Sequence, residues 1–378
     1  MKYVPFGNTG IEVSRLGFGC MRLPQKEING KNEWDTEESV RIMHRAMELG
    51  VNYFDTAPGY CDKQSEIIVG KALKGRREQV YLSTKYPTEK ASADDYQRSL
   101  ESSLRKLDTD YIDFFHFWSI NLDVFEKKLD IPGGPIEAAL RAKEQGLIRH
   151  ISFSFHDKPE NLIEIIKRSK GVFSSLLCQY NVLDQANEEG IRYAGELGMG
   201  VVIMGPVGGG RLGAPSPVIQ AMLPGKRYSS PEVALRFVLN NPHVCVALSG
   251  MSNLRQVEEN CATADNATPL SAEESEHIRA MIAENKRLAD LYCTGCNYCM
   301  PCPKGINIPE IFRMMNYKQV YKLDEYARSQ YKSIGSVPWM KYENAAACVG
   351  CGACEKKCPQ KLKIREQLQV AHEALSQG

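Results

Sequence analysis

The chain has 378 residues, 43% of them hydrophobic and 25% charged, with 47 Lys and Arg against 46 Asp and Glu. That is the composition of a globular protein able to bury a sizeable core, and its net charge of +1 favours neither nucleic acid nor an anionic membrane as partner. No apolar run approaches the roughly 18 residues that span a bilayer, and Pro5, Gly7 and Gly10 interrupt the N-terminus, so the expectation is a cytoplasmic protein with neither nucleic-acid nor membrane partners. In that compartment the 13 cysteines are expected as thiols or metal ligands rather than disulfides.

The chain opens with a hairpin, Tyr3–Phe6 and Glu12–Ser14 around Asn8-Thr9-Gly10. Eight short apolar runs then read as strands: Leu16–Gly19, Val51–Thr56, Val80–Lys85, Tyr111–His116, Ile148–Ser154, Leu176–Gln179, Gly200–Met204 and Val244–Ser249. Amphipathic stretches separate them. Thr36–Leu49 starts at a capping Asp35 and stops at Gly50, and Asp94–Leu107 repeats Tyr96, Leu100, Leu104 and Leu107 at helical spacing. Further helices are expected at Pro135–Gln145, Pro159–Ser169, Ala186–Leu197, Ser230–Asn240 and Asn253–Ala262. Eight strands alternating with helices point to a closed (β/α)8 TIM barrel, and no G-x-G-x-x-G follows the first strand to suggest an open dinucleotide-binding sheet. After the helical connector Ser271–Leu291 the composition changes to Cys, Pro, Gly and Lys. The expected division is therefore a barrel over residues 1–285 and a small, mainly α-helical iron–sulfur domain over 286–378.

Polar residues at the C-terminal ends of barrel strands face the active-site mouth. By that rule Asp55, Lys85 and His116 gather there, with Tyr60 in the loop after Asp55. The set suits reduction of a carbonyl by a hydride donor: the oxygen gains negative charge and needs a positioned acid. Lys85 is expected to lower the Tyr60 pKa from its usual value of about 10; Asp55 pairs with Lys85, and His116 hydrogen-bonds the same oxygen.

The segments GVNYFDTAPGY (50–60), STK (83–85) and DFFHFW (113–118), with GNTGIEVSRLGFG near the start and SGMSNLRQVEEN (249–260) late, resemble the aldo/keto reductases over residues 1–285. The resemblance implies a catalytic tetrad of Asp55, Tyr60, Lys85 and His116, and an NADP or NAD cofactor laid across the barrel mouth. It places Ser154 and Gln179 on the nicotinamide carboxamide, with Gly19 and Met21 beside the cofactor. The turn Gly205, Pro206, Val207, Gly208 and Gly210 would take the pyrophosphate, because backbone N–H groups without Cβ atoms approach it closely. Ser249, Gly250, Met251, Gln256, Glu259 and Asn260 would surround the adenosine end. Gly250 and Gln256 stand where 2′-phosphate-selective relatives carry cations, which leaves NADPH and NADH both open. Arg22 and Trp118, with Phe117 and Met21, would shape a pocket for a small carbonyl substrate.

Eight cysteines fall in two runs. CTGCNYCMPCP holds Cys293, Cys296, Cys299 and Cys302; CVGCGACEKKCP holds Cys348, Cys351, Cys354 and Cys358 in the C-x2-C-x2-C-x3-C-P spacing of two-cluster ferredoxins. The fourth cysteine of each run reaches the other cluster. One [4Fe–4S] cluster then takes Cys293, Cys296, Cys299 and Cys358, and a second takes Cys348, Cys351, Cys354 and Cys302. The first run is one residue short before Cys302, and zinc is the alternative metal. With the helical pattern Ile308–Tyr331 between the runs, the region resembles α-helical ferredoxin domains. Nicotinamide moves two electrons and each cluster one, so three readings follow: a carbonyl reductase with auxiliary clusters, an electron-transfer protein using the barrel to dock a ferredoxin-like partner, or a redox sensor.

Overall fold

The computed structural model describes every residue except 29, 225–227, 291, 292, 294, 360 and 378. Eight parallel strands close a barrel: β1 (Leu16–Gly19), β2 (Tyr53–Asp55), β3 (Tyr81–Pro87), β4 (Ile112–Ile120), β5 (Ile148–Phe155), β6 (Ser175–Gln179), β7 (Gly200–Met204) and β8 (Val246–Ser249). Each strand pairs with its sequence neighbours and β8 returns to β1 through Ala247 opposite Leu16. Every run expected as a strand contributes one, with ends shifted by a few residues. The largest shift is at β4, which continues past His116 to Ile120 through a register irregularity after Phe117.

Alternation of side chains along each strand separates two apolar clusters. Phe54, Leu82, Phe115 and Ile203 pack outward against the helices. Tyr53, Phe114, Leu177, Val202, Val246 and Leu248 fill the barrel interior. The N-terminal hairpin, Tyr3–Pro5 paired with Glu12–Ser14, delivers Phe6 into this interior cluster, its ring 4.8 Å from Phe114 and 5.7 Å from Tyr53. The turn depends on Gly7, at φ +53°, where a Cβ would sit 2.3 Å from the Gly198 carbonyl oxygen.

Contacts divide the chain into two units, residues 1–208 with 234–269, and residues 209–233 with 270–378. The helix Ala272–Asp290 therefore groups with the second unit, and so does the excursion after β7. Within the second unit that excursion is tied to the helix Ile308–Gln319 by Arg211 on the Tyr317 hydroxyl, and Ser216 Oγ donates to the Tyr321 carbonyl at 2.6 Å.

Ile308–Tyr331, expected as one helix, is two: Ile308–Gln319 and Asp324–Lys332. Lys322 adopts a left-handed φ of 54° and the Leu323 N–H returns to the Tyr317 carbonyl at 2.9 Å, which turns the chain. The apolar period runs through the break because both helices pack on a third, Ile364–Ser376, that the sequence reading left undefined. Two further elements were also not expected, the hairpin Gln25–Ile28 with Lys31–Trp34 and the helix Ser65–Leu73.

Candidate active site and cysteine sites

Strand register brings together three of the four residues expected as a tetrad, Asp55, Lys85 and His116. Gly19 lies opposite Asp55, Asp55 opposite Ser83, and Lys85 opposite His116, so three adjacent strands bring their polar ends to one level. Lys85 Nζ donates to both Asp55 carboxylate oxygens at 2.6 and 2.7 Å and to the Thr56 carbonyl at 2.7 Å. Ser83 Oγ donates to Asp55 Oδ1 at 2.9 Å. Burial alone would push the ammonium toward its neutral form, but Asp55, then Tyr60, outweigh it and raise the Lys85 pKa. Lys85 is thus a fixed cation with 1% exposure.

The Lys85 ammonium lies 4.7 Å from the centre of the Tyr60 ring. The expectation of a lowered Tyr60 pKa is corrected here: burial raises the phenol above its ordinary value and outweighs the opposing pull of Lys85. The same desolvation, with Lys85 as second cause, lowers His116 to about 3. His116 is therefore neutral, and both of its ring nitrogens are buried without a hydrogen-bond partner. Trp118 meets Tyr60 edge to face at 5.7 Å and 89°.

The loop carrying Tyr60 is held by residues that sequence reasoning passed over. Cys61, Asp62 and Lys63 follow Tyr60 at φ 50°, 49° and 71°, a left-handed run that costs roughly 1–3 kcal/mol per residue and persists only where surroundings fix it. Trp34 Nε1–H donates to Asp62 Oδ2 at 3.1 Å, and Ser65 Oγ donates to the Cys20 carbonyl at 2.8 Å. The Cys61 sulfur lies 3.4 Å from the same carbonyl. The Asn29-Gly30 pair between two short polar runs was a legible hairpin signal; the Trp34–Asp62 contact was not, since it joins separate βα loops.

Of the residues implied for a nucleotide, Ser154 and Gln179 lie at the ends of β5 and β6, Ser249 ends β8, and Gln256, Glu259 and Asn260 lie on the helix Leu254–Asn266. Ser154 accepts from the Ser119 N–H at 2.7 Å, and the Gln179 amide donates to Asp184 at 2.8 Å. After β7, Gly205 and Gly208 have φ of 63° and 60°, followed by Gly209 and Gly210 at 67° and 94°. A Cβ on Gly19 would stand 3.4 Å from the Ser249 carbonyl oxygen, and one on Gly250 3.6 Å from Arg22, so these backbones approach closely. Asn260 Nδ2 donates to Ser249 Oγ at 3.2 Å, Gln256 accepts from Ser252, and Glu259 pairs with Arg255. Met21 is exposed, whereas Met251 is fully buried in the apolar core.

In the second unit two cavities are walled by cysteines, five around one and four around the other, with one shared. Cys302, Cys348, Cys351 and Cys354 line one, with Pro301, Pro303, Val349 and Leu368. Cys293, Cys296 and Cys358 line the other, with Ile308, Phe312 and Ile364. Cys299 borders both. Apart from Cys299, which lines both, the cysteines divide between the cavities as in the crossed sets read from the spacing. No disulfide joins any of them. Among the described residues no three His, Cys, Asp or Glu side chains converge tightly enough to hold a single metal ion; the cysteines are instead distributed over the cavity walls. The five scattered cysteines, Cys20, Cys61, Cys178, Cys245 and Cys261, are buried.

A closed parallel barrel with an Asp–Lys pair beneath a tyrosine and beside a neutral histidine defines an NAD(P)-dependent oxidoreductase. The aldo/keto reductase family profile matches residues 15–283 and a 4Fe-4S dicluster domain matches residues 292–362. The chain belongs to the aldo/keto reductase family and carries a C-terminal 4Fe-4S dicluster domain. The holo form of the aldo-keto reductase AKR11C1 from Bacillus halodurans is 33% identical, with a TM-score of 0.63, over 74% of this chain and 96% of that one. The uncharacterized oxidoreductase YqkF of Bacillus subtilis is 28% identical over 77% of this chain and 98% of its own length. The L-galactose dehydrogenase of Arabidopsis thaliana is 28% identical over 75% of this chain and 94% of its own. Among the described residues no helix is long and apolar enough to cross a membrane.

Proposed function

We propose that residues 1–285 reduce a small aldehyde or ketone with NADPH or NADH, that Tyr60 supplies the proton, and that residues 286–378 hold two [4Fe–4S] clusters. The observation that carries the first part is the buried Lys85 ammonium, paired with Asp55 and lying 4.7 Å from the Tyr60 ring. Bound NAD(P)H supplies the hydride to the carbonyl carbon.

Tyr60 keeps its proton through the neutral range because burial raises its pKa. It releases that proton only when the carbonyl oxygen becomes the stronger base. Lys85 then lies under the phenolate that remains and stabilises it. Neutral His116 has a ring N–H that makes no hydrogen bond of ordinary geometry among the described residues and donates it to the same oxygen, which orients the substrate without adding a competing acid. The carbon gains a hydride, the oxygen gains the tyrosine proton, and a solvent proton restores the phenol. Trp118, Arg22 and Met21 border the mouth and set substrate shape.

The nucleotide fits the chain's own groups. Ser154 and Gln179 present polar atoms at adjacent strand ends, and Gly205 to Gly208 offer backbone N–H groups in positive-φ turns suited to a pyrophosphate. Gly19 and Gly250 bring the backbone ends of β1 and β8 close together, with Ser249 between them. For the clusters, support comes from the two cysteine-walled cavities. Cys293, Cys296, Cys299 and Cys358 would hold one cluster, and Cys302, Cys348, Cys351 and Cys354 the other, in a compartment that keeps thiols reduced.

The test is anaerobic stopped-flow mixing of iron-replete protein with NADPH and separately NADH, with and without simple aldehydes. Aldehyde-dependent oxidation of nicotinamide, lost in Tyr60→Phe, is the expected result. Absence of turnover with either nucleotide across the aldehyde panel would overturn the reductase reading.

A further inference from the structure

The two cysteine-walled cavities differ in charge. Lys304, Lys357 and Arg365 line the one formed by Cys302, Cys348, Cys351 and Cys354, whereas among the described residues no cation lines the other. Residues 341–365 carry six cations, Lys341, Lys356, Lys357, Lys361, Lys363 and Arg365, against two carboxylates, Glu343 and Glu355. Glu355 is spent on Arg365, at 2.9 Å to Nε and 2.8 Å to Nη2, and Lys363 pairs with Glu366. Lys304, Lys356, Lys357 and Lys361 are exposed and make no ion pair among the described residues.

Apolar surface lines the same cavity. Pro301 and Pro303 are exposed, Val349 is 62% exposed, and Cys351, one of the four wall cysteines, reaches the surface. Exposed apolar residues and unpaired lysines around a cysteine-walled cavity, with Lys356 and Lys361 near it in sequence, are the make-up of a transient electron-transfer interface. Such interfaces are small, and complementary charge steers the encounter rather than holding the complex.

We infer that this face docks a carboxylate-rich one-electron carrier protein, over the cavity formed by Cys302, Cys348, Cys351 and Cys354. The inference rests on that cavity holding a [4Fe–4S] cluster, as proposed above. In each encounter the carrier's reduced centre loses one electron and the cluster gains it; no bond forms or breaks and no proton moves. The lysines have a second consequence, since a thiolate-ligated cluster carries net negative charge and nearby cations stabilise its reduced state. Charge compensation alone would shift the cluster's potential and leave carrier binding unaffected, and this separates the two roles.

The experiment uses the full iron-replete chain and an acidic plant-type [2Fe–2S] ferredoxin as probe, with basic cytochrome c as the opposite-charge control. Affinity is measured by titration between low and high salt, and iron per chain is counted for every sample. The expected result is ferredoxin binding that weakens at least tenfold with salt, no comparable cytochrome c binding, and at least tenfold weaker ferredoxin binding in Lys356→Glu with Lys357→Glu at unchanged iron content. The milder pair Lys356→Gln with Lys357→Gln gives a smaller loss in the same direction, and serves if the charge reversal disturbs folding. Ferredoxin binding equal in wild type and variants, or indifferent to salt, overturns the docking inference while a full iron count leaves the cluster assignment standing. Wild-type protein that binds no iron under anaerobic reconstitution fails the cluster assignment instead.

Discussion

The barrel mouth and the cysteine region solve the problem of placing reactive groups in opposite ways. At the mouth, every polar partner of Lys85 and Asp55 comes from the chain itself, on strands fixed by parallel register. The charged pair is buried and satisfied, whereas the His116 ring nitrogens make no hydrogen bond of ordinary geometry among the described residues. In the cysteine region the reactive atoms sit on loops and short helices, at turns such as Gly350 and Gly352 with φ near 70°, and Cys296 and Cys351 are exposed. Backbone of that kind buries little apolar surface and gains its rigidity from what the thiolates bind. One site is organised before its cofactor arrives, and the other is completed by it.

The sharpest way to break this contrast is to unbalance the buried pair. Lys85→Met leaves the Asp55 carboxylate without its counter-ion, and removing one partner of such a pair costs about 3–5 kcal/mol. Urea unfolding of the variant should show a loss of that order together with loss of aldehyde reduction. Stability retained within about 1 kcal/mol would mean that the pair is not the organised element proposed.

Next in size is Tyr60→Phe, which keeps the ring over Lys85 and removes the acid. A drop in kcat of about 10²–10⁴ is expected at near-normal stability. On the other side of the comparison, Cys354→Ser should remove about half of the bound iron and lower the unfolding temperature of the iron-replete protein, while aldehyde turnover by the barrel persists. Loss of all iron would show the two cysteine sets to be one cooperative site.

A smaller effect concerns pH. The folded-state pKa of His116 is lowered to about 3, below the ordinary value of about 6.5. Between those values the unfolded chain binds the extra proton, so this residue makes the fold less stable as pH falls from about 6.5 toward 3. Below that window the loss no longer grows. His116→Leu should therefore flatten the acid limb of a stability profile in that range, and wild-type kcat should show no His116 titration near 6.5. Smallest is Trp34→Phe, which removes the bond to Asp62 and should cost about 0.5–1.5 kcal/mol, read as a modest rise in KM from a looser Tyr60 loop.

Legibility followed the same divide between local and distant causes. The helix Ser65–Leu73 escaped because it is buried nearly all round: Ser65, Glu66, Ile68, Val69, Gly70, Ala72 and Leu73 are all inside, so no amphipathic period marks it. Its Gly70 packs so closely on the next helix that a Cβ would stand 2.7 Å from the Lys106 carbonyl oxygen. The Glu66 carboxylate, met by Thr84, Ser103 and Lys106, was equally unreadable because its partners lie 18 to 40 residues away.

The sequence by itself determined the alternation of strands and helices, the barrel class, the three polar residues read at strand ends with Tyr60 in the loop beyond, and the cysteine spacing. All of these are written in periodicity and local order along one strand or loop. Only the tertiary structure decided the direction of the Tyr60 pKa, the break at Lys322 and the tether from Trp34 to Asp62. A pKa depends on how completely surrounding elements exclude water, and a break or tether depends on which surfaces meet; both are set by packing between residues that the chain order keeps apart.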